Sequence, residues 1–150
     1  MSETGIKSED ERSGIEHAFP IEFIIVDQVP VSLSGSPQSK ERWQRTVRSS
    51  AQMAIDPSNW ATDQPVTVTI FYFLDGPMKG DIDNIVKNIL DAMKQLIYLD
   101  DTQVERLVVQ KFEPGRPSLI AEDLSETLAS ALDFDPPVLY VRIDDDSSAV

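Results

Sequence analysis

The sequence of 150 residues contains no cysteine, and it has no apolar run long enough to cross a membrane. The first absence excludes disulfide bonds, thiolate catalysis and thiolate metal sites. The second excludes a membrane-spanning helix, which needs roughly 20 consecutive apolar residues. Residues 1–20 are polar and lack the apolar centre of a signal peptide. We therefore expect a cytoplasmic protein with no membrane partner and, from its length, one domain with a hydrophobic core.

Basic residues are also scarce, since the sequence has 13 of them and 26 acidic residues, which gives a net charge of -13. Nucleic-acid-binding surfaces are usually basic. The acidic excess lies at the two ends, where residues 1–20 hold 5 acids and 2 bases and residues 121–150 hold 8 acids and 1 base. The central 100 residues hold 13 acids and 10 bases, so the composition does not exclude DNA binding there.

Hydrophobic periodicity predicts one domain over residues 19–144, between a disordered tail over residues 1–18 and an acidic tail over residues 145–150. The predicted class is α+β, a small mixed and mostly antiparallel sheet with helices packed on it. The best helix packs on one face of the sheet, and a further helix is suggested by Leu124, Leu128 and Leu132 at a spacing of four. The predicted strands are 21–26, 65–74, 104–112 and 138–143, and the predicted helices are 39–55, 82–97 and one within 117–135.

Two acidic clusters frame the predicted helix over residues 82–97. Asp81 and Asp83 precede it, and Asp100 and Asp101 follow it. If the chain returns along the helix, these carboxylates converge into a site for a hard cation such as Mg²⁺, which orients a phosphate and activates water. The alternative is structural, with Asp83 capping the helix and the second pair forming an exposed turn.

Lys87 lies four residues after Asp83, on the helix face opposite the apolar stripe. Its ammonium is placed to contact a phosphate beside the metal. The alternative is a solvated ladder of charges, because Asp91 lies four residues further on.

Three motifs follow one another in this part of the chain, and they match a known family in order and spacing. They resemble the D-x-D-N-x-x-K, D-A-L-like and D-D-x-Q-V motifs of the RusA family of Holliday-junction resolvases, and a loop at residues 34–40 resembles that family's N-terminal loop more loosely. The motifs are Asp81-Ile82-Asp83-Asn84-x-x-Lys87, Leu90-Asp91-Ala92-Met93 and Tyr98-Leu99-Asp100-Asp101-x-Gln103-Val104.

The resemblance implies a homodimeric endonuclease that uses Mg²⁺, with Mn²⁺ as an alternative, and nicks four-way DNA junctions symmetrically. It implies that Asp81, Asp83 and Asp101 are catalytic metal ligands, that Lys87 is the catalytic lysine, and that Asp100 is an accessory metal-site acid.

The densest basic stretch is residues 38–48, with four bases and one acid. Such residues contact phosphates without reading sequence. Trp43 lies among them and either stacks on an exposed base or belongs to the core. His17 lies in the predicted tail and receives no role. The candidate DNA-binding residues are Lys40, Arg42, Arg45, Arg48, Lys79, Arg106 and Lys111.

The leading hypothesis is a Mg²⁺-dependent endonuclease that resolves branched DNA in recombination or repair. The second is a relative that binds branched DNA or a protein without cutting. The third, an acidic protein that mimics DNA, is least favoured because it gives the internal carboxylate motifs no purpose.

Overall fold

The structure, a computed structural model, describes residues 15–115 and 124–145. Four strands, three α-helices and two short 3₁₀ turns lie in these ranges. In chain order they are β1 (Ile21–Val26), α1 (Pro37–Met53), β2 (Val66–Phe73), a first 3₁₀ turn (Ile82–Ile85), α2 (Val86–Met93), a second 3₁₀ turn (Asp101–Gln103), β3 (Val104–Phe112), α3 (Glu126–Leu132) and β4 (Val138–Asp145).

The four strands form one mixed sheet in the order β1-β4-β2-β3. β4 pairs antiparallel with both β1 and β2, whereas β2 and β3 run parallel. Parallel neighbours need a crossover connection, and α2 provides it. The α+β class with a small, mostly antiparallel sheet is thus confirmed.

The larger part of the core lies between the sheet and helices α1 and α2. Alternate residues of each strand face it, because successive side chains of a strand point to opposite faces. α1 contributes Trp43, Val47 and Ala51 at a spacing of four, and all three are buried. The sheet residues of this core are Ile21, Phe23, Ile25, Val66, Val68, Ile70, Tyr72, Leu139, Val141 and Ile143.

α3 covers part of the other face of the sheet. Its Leu128 and Ala131 pack with Phe73, Val138 and Tyr140 in a second, smaller cluster. The predicted third helix is therefore present, but Leu124 and Leu132 of its leucine pattern are exposed. The part of that prediction over residues 117–123 lies outside the described residues, as do residues 1–14 and 146–150 of the predicted tails.

α1 begins two residues earlier than its predicted start at residue 39. The hydroxyl oxygen of Ser36 accepts a hydrogen bond from the backbone N–H of Ser39 at 3.1 Å, and Pro37 follows at the first helical position. Both features are common helix starts.

The predicted single helix over residues 82–97 is wrong in its length. Its first turn is 3₁₀, and α2 ends at Met93. Lys94 is extended and Gln95 has a positive φ of 69°, so the chain turns away there. Ile97 is nevertheless fully buried, which explains why the apolar stripe seemed to continue.

Part of the predicted N-terminal tail packs on the domain. Glu16 forms a β-bridge with Trp60, and His17 is buried with its ring Nε2 2.8 Å from the carbonyl oxygen of Leu96. Within the described residues no helix is long and apolar enough to cross a membrane.

Candidate active site

The candidate site is built on the crossover from β2 to β3. Asp81 lies in extended backbone just before the first 3₁₀ turn. Gly80 precedes it with a φ of 85°, a left-handed conformation that favours glycine. α2 runs back along the sheet before β3 begins. The first acidic pair, Asp81 and Asp83, therefore lies before the helix, and the second pair, Asp100 and Asp101, follows its other end.

Lys87 joins the two halves of this crossover. Its Nζ donates to Oδ2 of Asp101 at 2.6 Å and lies 3.0 Å from Oδ1 of Asp91. Lys94 lies beside the same two carboxylates, with its Nζ 3.6 Å from Asp91 Oδ1 and 3.7 Å from Asp101 Oδ2. The return of the chain thus brings Asp101 alongside α2, where its carboxylate contacts lysines from both ends of the helix. We call Lys87, Asp91, Lys94 and Asp101 the charge cluster.

The carboxylates raise the pKa of Lys87 above its usual value, chiefly through the hydrogen bond to Asp101 and then through Asp91. Lys87 is therefore a cation at any physiological pH. Tyr98 lies fully buried beneath the cluster, and its hydroxyl donates to the carbonyl oxygen of Leu90 at 2.9 Å. Burial, and then the negative charge of Asp101, raises the pKa of this phenol. The phenol therefore stays neutral, and its hydrogen bond to Leu90 stabilises the end of α2.

Gln103 holds the second acidic pair in place. Its side-chain oxygen accepts from the backbone N–H groups of Leu99 and Asp100 at 2.7 and 2.9 Å. Its amide nitrogen donates to the carbonyl oxygens of Thr62 and Gln64 at 2.9 and 2.8 Å. The glutamine of the D-D-x-Q-V motif therefore fixes the loop from which Asp101 projects.

Asp100 points to local partners. Its carboxylate accepts from the hydroxyl and the backbone N–H of Thr102 at 2.9 and 3.2 Å. These hydrogen bonds lower its pKa. Asp100 thus caps the second 3₁₀ turn, whereas the structural alternative for this residue was an exposed turn without a capping role.

The carboxylates differ in whether their oxygens already accept hydrogen bonds, which decides whether they are available to bind a metal. Oδ1 of Asp101 is buried and accepts no hydrogen bond from the described residues. Asp81 and Asp83 are exposed and form no ion pair or side-chain hydrogen bond in the described part of the chain. The oxygen donors suit a hard cation. Nowhere in residues 15–115 and 124–145, however, are three such groups already gathered around one point.

A cleft of about 600 Å³ opens beside Asp81. The loop between β1 and α1 forms one wall, and the loop between β2 and the first 3₁₀ turn forms the other. Lys79 lies at its rim, which places this predicted DNA contact next to a predicted metal ligand.

Asn88 ties this first loop to the helix and was missed by sequence reasoning. It is buried, and its side-chain nitrogen donates to the carbonyl oxygens of Val31 and Ser32 at 2.9 and 3.3 Å. Gln44 of α1 donates to its side-chain oxygen at 3.1 Å. The signal was available, since Asn88 is a polar residue within the buried side of an amphipathic helix.

The basic residues of α1 divide into two groups. Arg42 and Arg45 are exposed, and Arg45 has a loose pairing with Glu41 at 3.9 Å. Lys40 donates to the carbonyl oxygen of Leu33 at 3.1 Å, and Arg48 donates to the two carbonyls of Ala92 and Lys94 at 3.2 Å. The first group is available to a phosphate backbone, and the second supports the fold around the site.

The other candidate contacts are spread more widely. Trp43 is 3% exposed, so the interpretation that it belongs to the core is confirmed. Arg106 lines a groove on the face of the sheet opposite α1 and α2, together with Arg142. Lys111 forms an ion pair with Glu113 at 3.0 Å. The structure thus brings neither Arg106 nor Lys111 into the charge cluster.

Comparison with known proteins agrees with the motifs. A curated protein of Bacillus subtilis strain 168, the uncharacterized protein YqaN, is 51% identical over 39 residues, which is 26% of this chain and 28% of that protein. The match thus spans less than a third of the length of this relative. The model of the family described as endodeoxyribonuclease RusA matches residues 33–122, a segment that includes the crossover, the charge cluster and most of the residues that line the cleft. The chain therefore belongs to the RusA endodeoxyribonuclease family.

Proposed function

We propose that this protein is a divalent-metal-dependent endonuclease that nicks branched DNA, with the four-way junction as its substrate. The observation that carries the proposal is the contact between Lys87 and Asp101. Two residues that the family resemblance names as catalytic lie 14 positions apart in the chain, and their side chains meet at 2.6 Å.

Asp81, Asp83 and Asp101 would hold the metal. The free Oδ1 of Asp101 and the exposed carboxylates of the other two are oxygen donors without competing hydrogen bonds from the described residues. Mg²⁺ is the expected ion, and Mn²⁺ is the alternative. When bound, it supplies Lewis-acid stabilisation of the scissile phosphate. Because Asp81 and Asp83 are exposed, their side chains are free to turn toward Asp101.

Lys87 is the residue proposed to meet the phosphate. It remains charged and half exposed, so it is accessible to a substrate oxygen. Lys94 lies within 3.7 Å of Asp91 and Asp101, the two carboxylate partners of Lys87, and would offset one of their two negative charges when Lys87 moves to the substrate. Asp100, the accessory acid of the resemblance, would act through the loop that it caps.

The branched substrate would lie across the α1 side of the molecule. Arg42 and Arg45 offer phosphate contacts there, and Lys79 offers one at the cleft. Symmetric nicking of two strands requires two such sites, so a homodimer is the expected working form. A role in recombination or repair and a cytoplasmic location stay predictions.

The test is a cutting assay on a synthetic four-way junction, with linear duplex of the same sequence as the control. The proposal expects paired nicks in Mg²⁺ and none in EDTA. Light scattering during gel filtration measures the oligomeric state in parallel. Tight junction binding without nicks in Mg²⁺ or Mn²⁺ would instead support the alternative, a relative that binds without cutting.

A further inference from the structure

The cleft beside Asp81 carries an inference that rests on the proposed function and deepens it. We propose that the cleft holds one unstacked nucleotide of the strand to be cut, immediately next to the scissile phosphate. The enzyme would then recognise a branch point because a nucleotide there leaves the base stack easily.

The walls of the cleft are fixed before any ligand binds. The backbone N–H of Leu33, in the first loop, donates to the carbonyl oxygen of Asn84 at 2.9 Å. The backbone N–H of Met78, in the second loop, donates to the carboxylate of Glu113 at 3.0 Å. Both loops are thus tied to the crossover and to the end of β3. A site formed in advance avoids the entropy of ordering loops on binding.

The lining combines an apolar surface with unused polar groups. Tyr72 is 5% exposed, yet its hydroxyl forms no hydrogen bond within the described residues. The side-chain amide of Asn84 is half-buried and likewise makes none within them. Both groups are open to the cleft, so a ligand with polar edges could form hydrogen bonds with them without displacing a protein partner within the described residues. The apolar lining residues are Val29, Pro30, Leu74, Pro77, Met78 and Ile85.

A nucleobase has this chemistry, since its faces are apolar and its edges donate and accept hydrogen bonds. The volume of about 600 Å³ is that of a small-molecule site and leaves no room for a duplex. Lys79 and Asp81 at the rim place the phosphate of such a nucleotide beside the proposed metal. Unstacking costs least where pairing is already disturbed, as at a branch point.

The first experiment reads binding without cutting. Junctions carry 2-aminopurine, whose fluorescence rises when it leaves the stack, at each nucleotide flanking the branch in turn. Ca²⁺ replaces Mg²⁺, so that a divalent cation offsets the acidic residues of the site while cutting is prevented. We expect a rise at one position per cut strand with the wild-type protein. No rise at any position overturns the proposal.

The paired variant fills the cleft. Val29 is 65% exposed at its rim and Ser34 is exposed on the same wall, so Val29→Phe with Ser34→Phe adds bulk without disturbing the core. Met53→Phe is the control, because Met53 is 89% exposed and lies outside the cleft. We expect the fluorescence rise to be lost in the double variant and kept in the control. An equal rise in all three proteins overturns the proposal.

A conservative variant tests whether the Tyr72 hydroxyl contacts the base. Tyr72→Phe removes a hydroxyl that has no partner in the described structure, so thermal stability should not fall. Affinities for four junctions that differ only in the base at the responsive position should differ by about tenfold in the wild type and converge in the variant. An unchanged preference would remove Tyr72 from base reading. If the rise is present but Mg²⁺ gives no nicks, the cleft assignment stands and the proposed cutting activity fails.

Discussion

The substitution Lys87→Met distinguishes a structural role of this lysine in surface ion pairs from a catalytic role. The two roles predict losses of very different size in the rate of cutting. As a member of a surface ladder, Lys87 forms two ion pairs, and its side chain is 50% exposed. Solvent screens such pairs, so together they contribute at most about 1–2 kcal/mol. The ladder role alone therefore predicts a fall in Tm of roughly 2–8 °C and a folded, active enzyme at the assay temperature.

As a catalytic residue, Lys87 has a far larger effect on turnover. Loss of one donor that stabilises developing charge lowers the rate by about 10²–10³. The affinity for the metal should rise in this variant, since an ammonium 2.6 Å from Asp101 repels a cation bound at the same carboxylate. Removing one unit charge at about 4 Å from a divalent ion in a water-like dielectric changes the binding free energy by about 2 kcal/mol. The Mg²⁺ concentration for half-maximal cutting should thus fall by about thirtyfold.

The assay is single-turnover cutting at saturating junction concentration, repeated over a Mg²⁺ titration and accompanied by thermal unfolding. Arg142→Met is the matched control, because Arg142 forms an ion pair with Asp144 at 2.8 Å on β4, away from the charge cluster. We expect a large loss of rate in Lys87→Met and none in the control. A rate near that of the wild type in Lys87→Met would refute the catalytic role and leave only the ladder.

Three further predictions test the neighbouring assignments. Asp83→Asn should abolish cutting and leave Tm unchanged, because Asp83 is exposed and only its charge serves a hard cation; wild-type cutting by this variant would exclude Asp83 as a metal ligand. Arg48→Met should lower the stability by about 1–2 kcal/mol, or roughly 2–8 °C in Tm, because its two hydrogen bonds to the end of α2 are lost, whereas Arg42→Met should weaken junction binding at constant Tm; equal Tm values for the two variants would contradict this division. Removing residues 1–14 and 146–150 should tighten junction binding at low salt and less so at high salt, since it deletes acidic residues outside every motif; affinities measured at two salt concentrations decide this, and no gain at low salt would leave the tails without a role.

The strands could be predicted from the sequence because their composition leaves few alternatives. The predicted bounds of β1 and β3 coincide with the observed ones. Helix ends were harder to place. The start of α1 was signalled by Ser36 and Pro37 in the sequence and was missed, whereas the end of α2 depends on Gln95 with positive φ, for which no glycine or proline gives a warning.

The site was predictable only as far as its motifs reach. The contact of Lys87 with Asp101 agrees with the motif. The spacing of Asp91 and Lys94 could have predicted their pairing, but the approach of Lys94 to Asp101 depends on the turn after α2, which no local pattern encodes. The same limit applies to Arg48, which looks like a surface base in the sequence and instead donates to the carbonyls that end α2. A helix of basic residues has the same sequence pattern whether its side chains meet DNA or a neighbouring helix.

The charge of the site explains why a metal is central to the proposed function. The charge cluster holds two lysines and two aspartates, so it is neutral by itself. The exposed Asp81 and Asp83, the other two proposed metal ligands, add two negative charges to the proposed site. Without a cation, this surface repels the phosphate that it is proposed to cut. One divalent ion makes the whole group neutral, and only then do Lys87 and the basic residues of α1 outweigh the remaining acids for an approaching DNA strand. The proposed function therefore predicts that DNA engagement at the site depends on the metal.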